Sequence, residues 1–255
     1  MPTDFDGLVQ NLKDEDWETR SKAALLLGKS GNPRAVEPLI DTALHDPYFA
    51  GGNAGHPVRK AALKSLHSMI TPLCKLGNRQ AESLLTSILE TVVNPECIYD
   101  WNGRVCLASA RALIRHFGRS RVSLQSPVIL TSDDERDINA LICFTLKFAG
   151  FGVVSTLNGV EVLELAPLIR PDLILLDVRM PKITGYEVCR QLKESPLTSW
   201  IPVAFLSAKG QEAEIKQGLD SGAVEYILKP FAPDELTNKV KGILRRLEMG
   251  IYEED

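Results

Sequence analysis

Residues able to do phosphate chemistry follow a series of short apolar runs in the second half of the chain. Asp133 and Asp134 come directly after the first run, Asp177 follows the third, and Ser207 and Lys229 follow the fourth and fifth. Three carboxylates brought together would repel one another unless a cation neutralised them. Oxygen ligands without cysteine or histidine favour Mg²⁺, which also accepts phosphate oxygens. Beside such an ion a carboxylate can attack phosphorus, and a hydroxyl and an ammonium group can hold the transferring oxygens.

The apolar runs predict a sheet that would bring these residues to one edge. They cover 128–130, 152–155, 172–176, 202–206 and 224–228, and helical stretches begin near Asp134, Gly159, Gly185, Gln211 and Pro233. Five strands that alternate with five helices predict an α/β domain with a doubly wound, five-stranded parallel sheet and helices on both faces. In such sheets the chemistry gathers at the carboxyl ends of the strands. We therefore expect the acidic residues, the hydroxyl and the lysine to meet there.

This constellation resembles the receiver domain of bacterial two-component response regulators over about residues 126–248. The resemblance is carried by the segments TSDDE, LLDVRMP, KITGYEV with Gly185, the pair Ser207-Ala208, and GAVEYILKPF. It implies a flavodoxin-like fold and makes Asp177 the phosphoacceptor. It also implies a Mg²⁺ site formed by Asp133, Asp134, Asp177 and the backbone carbonyl of Arg179.

The same resemblance implies roles for three residues near the ends of the fourth and fifth strands. Lys229 would pair with the phosphoryl group, and Ser207 would move to hydrogen-bond it. Tyr226 occupies the position of an aromatic switch whose ring turns inward when the hydroxyl moves. The peptide bond between Lys229 and Pro230 is expected to be cis, which is inexpensive only before proline.

Each of these residues also has a structural interpretation. Asp133 or Asp134 could cap the following helix, since aspartate is favoured at that position. Lys229 could be a solvated lysine, Ser207 a turn hydroxyl, and Tyr226 a packing residue of an edge strand. Asp177 is harder to explain in this way, because a carboxylate after a wholly apolar strand costs free energy unless it is paired or bound.

The first half of the chain has apolar residues at intervals of three and four, which predicts helices throughout. The pattern Arg20-x-x-Ala23-x-x-x-Leu27 returns 39 residues later from Arg59, and 104–114 is a degenerate third copy. A period near 40 with paired helices is typical of HEAT or armadillo-like repeats. The region 5–117 resembles short HEAT-like repeats of bacterial scaffolding and bilin-lyase-related proteins, which implies a surface for protein partners. A generic helical bundle is the alternative, and 45–57 is interpreted as a loop insertion.

The predicted organisation is a HEAT-like helical domain at 1–120, a linker at 121–127, a receiver domain at 128–248 and an acidic tail at 249–255. Charge differs between the halves, because residues 1–124 hold 15 Lys and Arg against 13 Asp and Glu, and the rest hold 14 against 20. A front half near neutrality lacks the basic face expected of a nucleic-acid-binding module. The five cysteines are scattered without a CxxC pair, so neither a disulfide framework nor a zinc site is indicated.

Location follows from the absence of two kinds of segment. No apolar run approaches the roughly 20 residues needed to span a bilayer. The acidic start also differs from a secretory signal. We therefore expect a cytoplasmic protein without a membrane segment.

The leading hypothesis is a response regulator that receives a phosphoryl group on Asp177 from a sensor histidine kinase or a phosphotransfer protein. Its helical domain would bind an unidentified protein target, and phosphorylation could drive homodimerisation. No nucleic-acid partner and no enzymatic activity are expected. The alternatives are a DNA-binding transcriptional regulator and, less favoured, a HEAT-repeat lyase-like enzyme regulated by the receiver. A phosphatase that uses Asp177 would need a second aspartate two residues later, where Arg179 stands.

Overall fold

The computed structural model describes residues 4–51, 55–97, 104–118, 127–208 and 211–249. These residues form two compact units, one up to residue 118 and the other from residue 127. Apart from Pro127 and Met249, the expected linker at 121–127 and tail at 249–255 lie outside the described residues. The domain boundaries therefore stay predictions.

The first unit consists of helices, as the apolar spacing predicted. Its α-helices are α1 Phe5–Asn11, α2 Trp17–Ser30, α3 Val36–His45, α4 Pro57–Leu76, α5 Arg79–Val93 and α6 Arg104–Phe117, and a 3₁₀ turn at Pro33–Ala35 leads into α3. Local signals set the ends of α2. The carboxylate of Asp16 accepts from the backbone N–H groups of Glu18 and Thr19, and Gly31 closes the helix in the left-handed conformation with φ 63°.

Small residues allow close packing between α2 and α4. Ala23 and Leu27 of α2 and Ala62 and Leu66 of α4 are buried, so the repeated pattern faces the core in both helices. Gly28 lies directly against Ser65, and a side chain at Gly28 would collide with it. The row of packed helices continues from α4 to α6, while α3 packs on α4 and α5. The helical prediction is confirmed, and the HEAT-like character of the helices stays a prediction.

The second unit is a five-stranded parallel sheet flanked by helices. The strands are β1 Val128–Ser132, β2 Gly152–Thr156, β3 Leu173–Asp177, β4 Val203–Ser207 and β5 Glu225–Leu228, and the helices are α7 Arg136–Phe148, α8 Gly159–Ile169, α9 Gly185–Glu194, α10 Glu212–Asp220 and α11 Pro233–Glu248. The strand order is β2-β1-β3-β4-β5, and every pair is parallel. This confirms the α/β doubly wound sheet. The observed strand ends lie within about two residues of those expected.

The apolar strands are continuous because both faces of the sheet are covered. Every residue of β1 to β4 is buried. On one face Ile129, Leu175 and Leu206 pack against α7 and α11 through Ile142 and Val240. A strand buried on both faces has no polar side to alternate with its apolar side. Polar residues are therefore placed at the strand ends.

The register of the sheet brings those ends to one edge. Asp177 of β3 lies beside Leu206 of β4, and the next residue, Ser207, pairs with Leu228 of β5. Ser132 of β1 pairs with Leu176 of β3. Asp133, Asp177, Ser207 and Lys229 consequently leave the sheet on the same side.

Among the described residues, no helix combines the length and the apolar character needed to cross a membrane.

Candidate functional site

An ammonium group bound to two carboxylates forms the centre of this edge. The Nζ atom of Lys229 donates to Oδ2 of Asp133 at 2.5 Å and to Oδ1 of Asp177 at 2.6 Å. The side chains of Lys229 and Asp177 are each 11% exposed, and that of Asp133 is 1% exposed. Such burial rules out the solvated lysine considered from the sequence. Charged groups this deep are stable only when they are paired and hydrogen-bonded.

The remaining oxygen of each carboxylate binds the backbone of its own loop. Oδ2 of Asp177 accepts from the N–H of Arg179 at 2.7 Å, and Oδ1 of Asp133 accepts from the N–H of Glu135 at 3.0 Å. Asp133 thus also organises the turn that leads into α7. The capping interpretation is wrong for both aspartates, because Glu135 holds the N-cap position of α7 and no side chain caps the helix.

Burial and charge act in opposite directions on this cluster. Burial raises the pKa of Asp177, which stays raised overall although the hydrogen bond and the charge of Lys229 lower it. Burial lowers the pKa of Lys229, but the hydrogen bonds to Asp133 and Asp177 and the negative charges of both raise it, and the pKa is raised overall. Lys229 is therefore a cation at neutral pH. Two carboxylates share this one cation, so an additional positive ion would be favourable here.

The other proposed oxygen donors lie on the same two loops. Asp134 is exposed and follows Asp133, and Arg179 is exposed two residues after Asp177. Within the part of the chain that the structure describes, no three acidic, histidine or cysteine side chains converge into a metal site by themselves. Carboxylate and carbonyl oxygens nevertheless fit Mg²⁺, which takes few protein ligands and keeps several waters or phosphate oxygens.

Asn139 of α7 holds the loop that carries Asp133, and sequence analysis missed it. Its side-chain Nδ2 donates to the carbonyl oxygens of Asp133 at 3.2 Å and Thr156 at 2.5 Å, while its Oδ1 accepts from the hydroxyl of Ser155 at 3.0 Å. Asn139 is fully buried. A sequence signal existed, because Asn139 lies three residues before Ile142 on the apolar face of its helix, where a polar residue needs a partner.

Gly185 allows the loop after β3 to return closely to Asp177. The N–H of Gly185 donates to the carbonyl of Val178 at 3.0 Å. A Cβ atom at Gly185 would collide with the carbonyl oxygen of Asp177. Thr184 then starts α9 with a capping box formed with Glu187. The first turn of α9 is thus held against the backbone of Asp177.

Ser207 and Tyr226 lie on the neighbouring strands. Ser207 is buried, and its carbonyl accepts from the N–H of Lys229 at 2.7 Å. Tyr226 is buried on the edge strand with its ring centroid 6.1 Å from that of Phe205. The contact with Phe205 agrees with the packing interpretation and leaves the switch role a prediction. The peptide bond between Lys229 and Pro230 is cis, as the resemblance implied.

Two residues around Tyr226 were not singled out from the sequence. Gly218 of α10 lies against the rings of Tyr226 and Phe205, where an added Cβ would approach within 3.0 Å. Burial raises the pKa of the Tyr186 hydroxyl, and its hydrogen bond with Tyr226 raises that pKa further. Tyr186 also donates to the carbonyl of Glu214 at 3.3 Å. Tyr226 is therefore enclosed by β4, α9 and α10.

Comparisons with known proteins agree with this architecture. Residues 129–241 match the response regulator receiver domain family. The chain is 43% identical over 121 residues to the alkaline phosphatase synthesis transcriptional regulatory protein PhoP of Bacillus subtilis, a match to 48% of this chain and 50% of that protein. It is 40% identical over 122 residues to the DNA-binding dual master transcriptional regulator RpaA of Synechocystis, a match to 48% of this chain and 51% of that protein.

Solved structures are also similar to part of the chain. A putative response regulator from Chloroflexus aurantiacus is 34% identical, with a TM-score of 0.46, and covers 48% of this chain and 100% of its own. The chain spans about half the length of the curated relatives PhoP and RpaA. The family match and the strand order converge on the second unit. Residues 129–241 are a response regulator receiver domain.

Proposed function

We propose that this chain is a response regulator of a two-component system that accepts a phosphoryl group on Asp177. The observation that carries the proposal is the buried ammonium of Lys229 between Asp133 and Asp177. The donor would be a sensor histidine kinase or a phosphotransfer protein. This arrangement offers a nucleophilic carboxylate, a fixed cation beside it and further oxygen ligands on adjacent loops.

The reaction would transfer the phosphoryl group from an imidazole nitrogen to a carboxylate oxygen. An oxygen of Asp177 forms the new bond to phosphorus, the phosphorus–nitrogen bond breaks, and the imidazole leaves with the electron pair. Bound Mg²⁺ would neutralise charge on the phosphoryl oxygens. Lys229, already within 2.6 Å of Asp177, would hold one of those oxygens. Ser207, next to the end of β3, would donate to another.

Labelling with acetyl phosphate and Mg²⁺, followed by intact mass measurement, tests the proposal. The unmodified chain should gain one phosphoryl group, and chelation of Mg²⁺ should prevent this. Asp177→Asn removes the nucleophile and should abolish labelling. The matched control is Asp220→Asn, which alters an exposed carboxylate at the end of α10 and should leave labelling unchanged. Equal labelling of Asp177→Asn and the unmodified chain would show that Asp177 is not the phosphoacceptor.

For the first unit, we propose a HEAT-like stack that binds another protein. Two observations support repeats over an irregular bundle. The helices α2, α4 and α6 pack in one row, with α3 packed on α5 beside it. Both repeated arginines also donate to a backbone carbonyl that precedes their own helix, Arg20 to that of Asp14 before α2 and Arg59 to that of Asp46 before α4. Repeats of this kind present extended surfaces to partners.

A DNA-binding transcriptional regulator is the second candidate. The relatives PhoP and RpaA are named as transcriptional regulators, and RpaA as DNA-binding. The expectation that this chain has no nucleic-acid partner therefore lacks support from the comparisons. Retention of the full chain on duplex DNA that weakens with salt would favour this candidate. A cytoplasmic location, phosphorylation-dependent homodimerisation and the absence of enzymatic activity stay predictions.

A further inference from the structure

The helical unit contains a groove of about 430 Å³ between α4 and α6. From α4 the groove is lined at positions 67, 70, 71 and 74, and from α6 at positions 107, 108, 111, 112, 115 and 116. Both sets follow the three-to-four spacing of one helix face. The α6 stripe covers nine steps of 1.5 Å, or about 14 Å. The groove therefore runs along both helices for about two turns or more.

The floor of this groove is apolar, and α6 contributes small side chains to it. Ile70 and Ala112 are buried, and Ala108 is half-buried one turn before Ala112. Alanines four residues apart leave room for another helix to approach α6 at the usual interaxial distance of about 8–10 Å. An occupant with one apolar face and a helical backbone fits this floor.

Two arginines lie on the rim of the groove. Arg111 and Arg115 lie one turn apart on α6. The other ionisable side chains that line the groove are His67, His116 and Cys74. Among the described residues, no aspartate or glutamate lines the groove. A cationic rim attracts an anionic partner and sets its orientation.

A second surface hollow of the same unit shows the contrast. It lies on α5 and is lined by one arginine, two glutamates and three hydroxyl side chains, with no apolar residue among them. Such a lining offers neither an apolar floor nor charge of a single sign. The combination of both features distinguishes the groove between α4 and α6 from this hollow.

We propose that the groove between α4 and α6 binds an acidic amphipathic helix of a partner protein. The apolar face of that helix would cover Ile70, Ala108 and Ala112, and its acidic flank would face Arg111 and Arg115. The inference deepens the protein-binding role proposed for the helical unit and rests on it. It is independent of phosphoryl transfer to Asp177, so the two can fail separately.

The test measures binding of a fluorescein-labelled peptide to the full chain by anisotropy. The peptide is an amphipathic helix of about four turns, with leucines on one face and glutamates beside them, a length at which helices become marginally stable. A peptide with lysines in place of the glutamates serves as the probe control. The glutamate peptide should bind and weaken with added salt, and the lysine peptide should not bind.

Charge reversal at the rim locates the binding site. The double variant Arg111→Glu and Arg115→Glu should weaken binding of the glutamate peptide by at least about tenfold. Lys22→Glu with Lys29→Glu makes the same change in net charge at exposed positions of α2 and should change binding far less. The milder pair Arg111→Gln and Arg115→Gln guards against misfolding, and circular dichroism checks the helix content of every variant.

Cys74 provides a direct footprint of the occupant. It lines the groove, and it is the one cysteine of the five that is not buried. Partial burial raises the pKa of its thiol, so alkylation is measured at mildly alkaline pH. Bound glutamate peptide should slow alkylation of Cys74 severalfold. Unchanged alkylation at saturating peptide, or equal binding by the rim variant and the α2 control, would overturn the inference while leaving the labelling of Asp177 untouched.

Discussion

At the carboxyl edge of the sheet, one ammonium group compensates two buried carboxylates. Lys229 contacts Asp133 and Asp177 directly, and all three side chains are at most 11% exposed. Removing one partner from a buried charged cluster leaves the remaining charges without compensation. Lys229 therefore contributes to the stability of the receiver domain.

Replacing Lys229 by methionine should destabilise the receiver domain at neutral pH. The loss in the free energy of unfolding should be about 3 kcal/mol, because Asp133 and Asp177 then face each other without a cation. Urea unfolding measures the loss, and Lys241→Met on the exposed surface of α11 is the matched control. Asp177→Asn added to Lys229→Met should recover part of the stability. If the double variant is no more stable than Lys229→Met, the carboxylate repulsion is not the cause.

At the scale of elements, the return of the chain from β3 to α9 depends on the missing side chain of Gly185. Gly185→Ala should cost about 1–3 kcal/mol, because its Cβ would meet the backbone of Asp177, which cannot move as a flexible side chain does. The same shift should slow labelling by acetyl phosphate. Thermal unfolding and labelling rate measure the two effects.

Gly242 of α11 provides the comparison for that prediction. An added Cβ there would have its nearest neighbour at 3.8 Å, the end of the Arg246 side chain. Gly242→Ala should therefore be neutral or stabilise by up to about 1 kcal/mol, the usual difference between the two residues inside a helix. A loss of stability at Gly242 as large as at Gly185 would show that the contact with Asp177 is not what matters.

The helical unit depends on a buried ion pair between α2 and the segment after α3. Nε of Arg20 donates to Oδ2 of Asp46 at 2.6 Å, and Asp46 also accepts from the N–H of Tyr48. The hydrogen bond to Asp46 raises the pKa of Arg20 despite its burial. Arg59 donates to the carbonyl of Asp46. Asp46 therefore contacts the arginines of both copies of the repeated pattern.

Asp46→Ala should lower the stability of the helical unit by about 3–5 kcal/mol, because Arg20 would remain buried without its partner. Unfolding followed by circular dichroism at a helix wavelength measures this loss. The exposed pair of Arg34 and Asp6, with side chains 68% and 77% exposed, is the matched control. Asp6→Ala should cost less than about 1 kcal/mol. Similar losses at the two sites would contradict the role assigned to burial.

At the scale of the whole molecule, each unit contains its own buried core. A unit with its own core can fold alone. We therefore expect residues 127–249, produced separately, to fold and to be labelled by acetyl phosphate and Mg²⁺ at a rate close to that of the full chain. Circular dichroism and intact mass measure the two properties, and the Asp177→Asn fragment is the control. A fragment that stays unfolded would contradict the prediction.

Local patterns in the sequence determined the order of elements in both units. Apolar runs of three to five residues and helical spacing depend on neighbouring residues, so the strands and the helix starts of the second unit were predicted close to their observed positions. The types of residue at the strand ends were visible for the same reason. Carboxylates at two strand ends, with a hydroxyl and a lysine at two others, indicated phosphoryl chemistry from the sequence alone.

Only the tertiary structure decided which of those residues meet. Lys229 is 96 residues from Asp133 and 52 residues from Asp177, so their pairing depends on the register of four parallel strands. The fold also places Asp133 in the buried cluster and Asp134 in solvent, and it makes Asn139 the support of their loop. Contacts between distant parts of a chain arise from packing, which local sequence patterns do not encode.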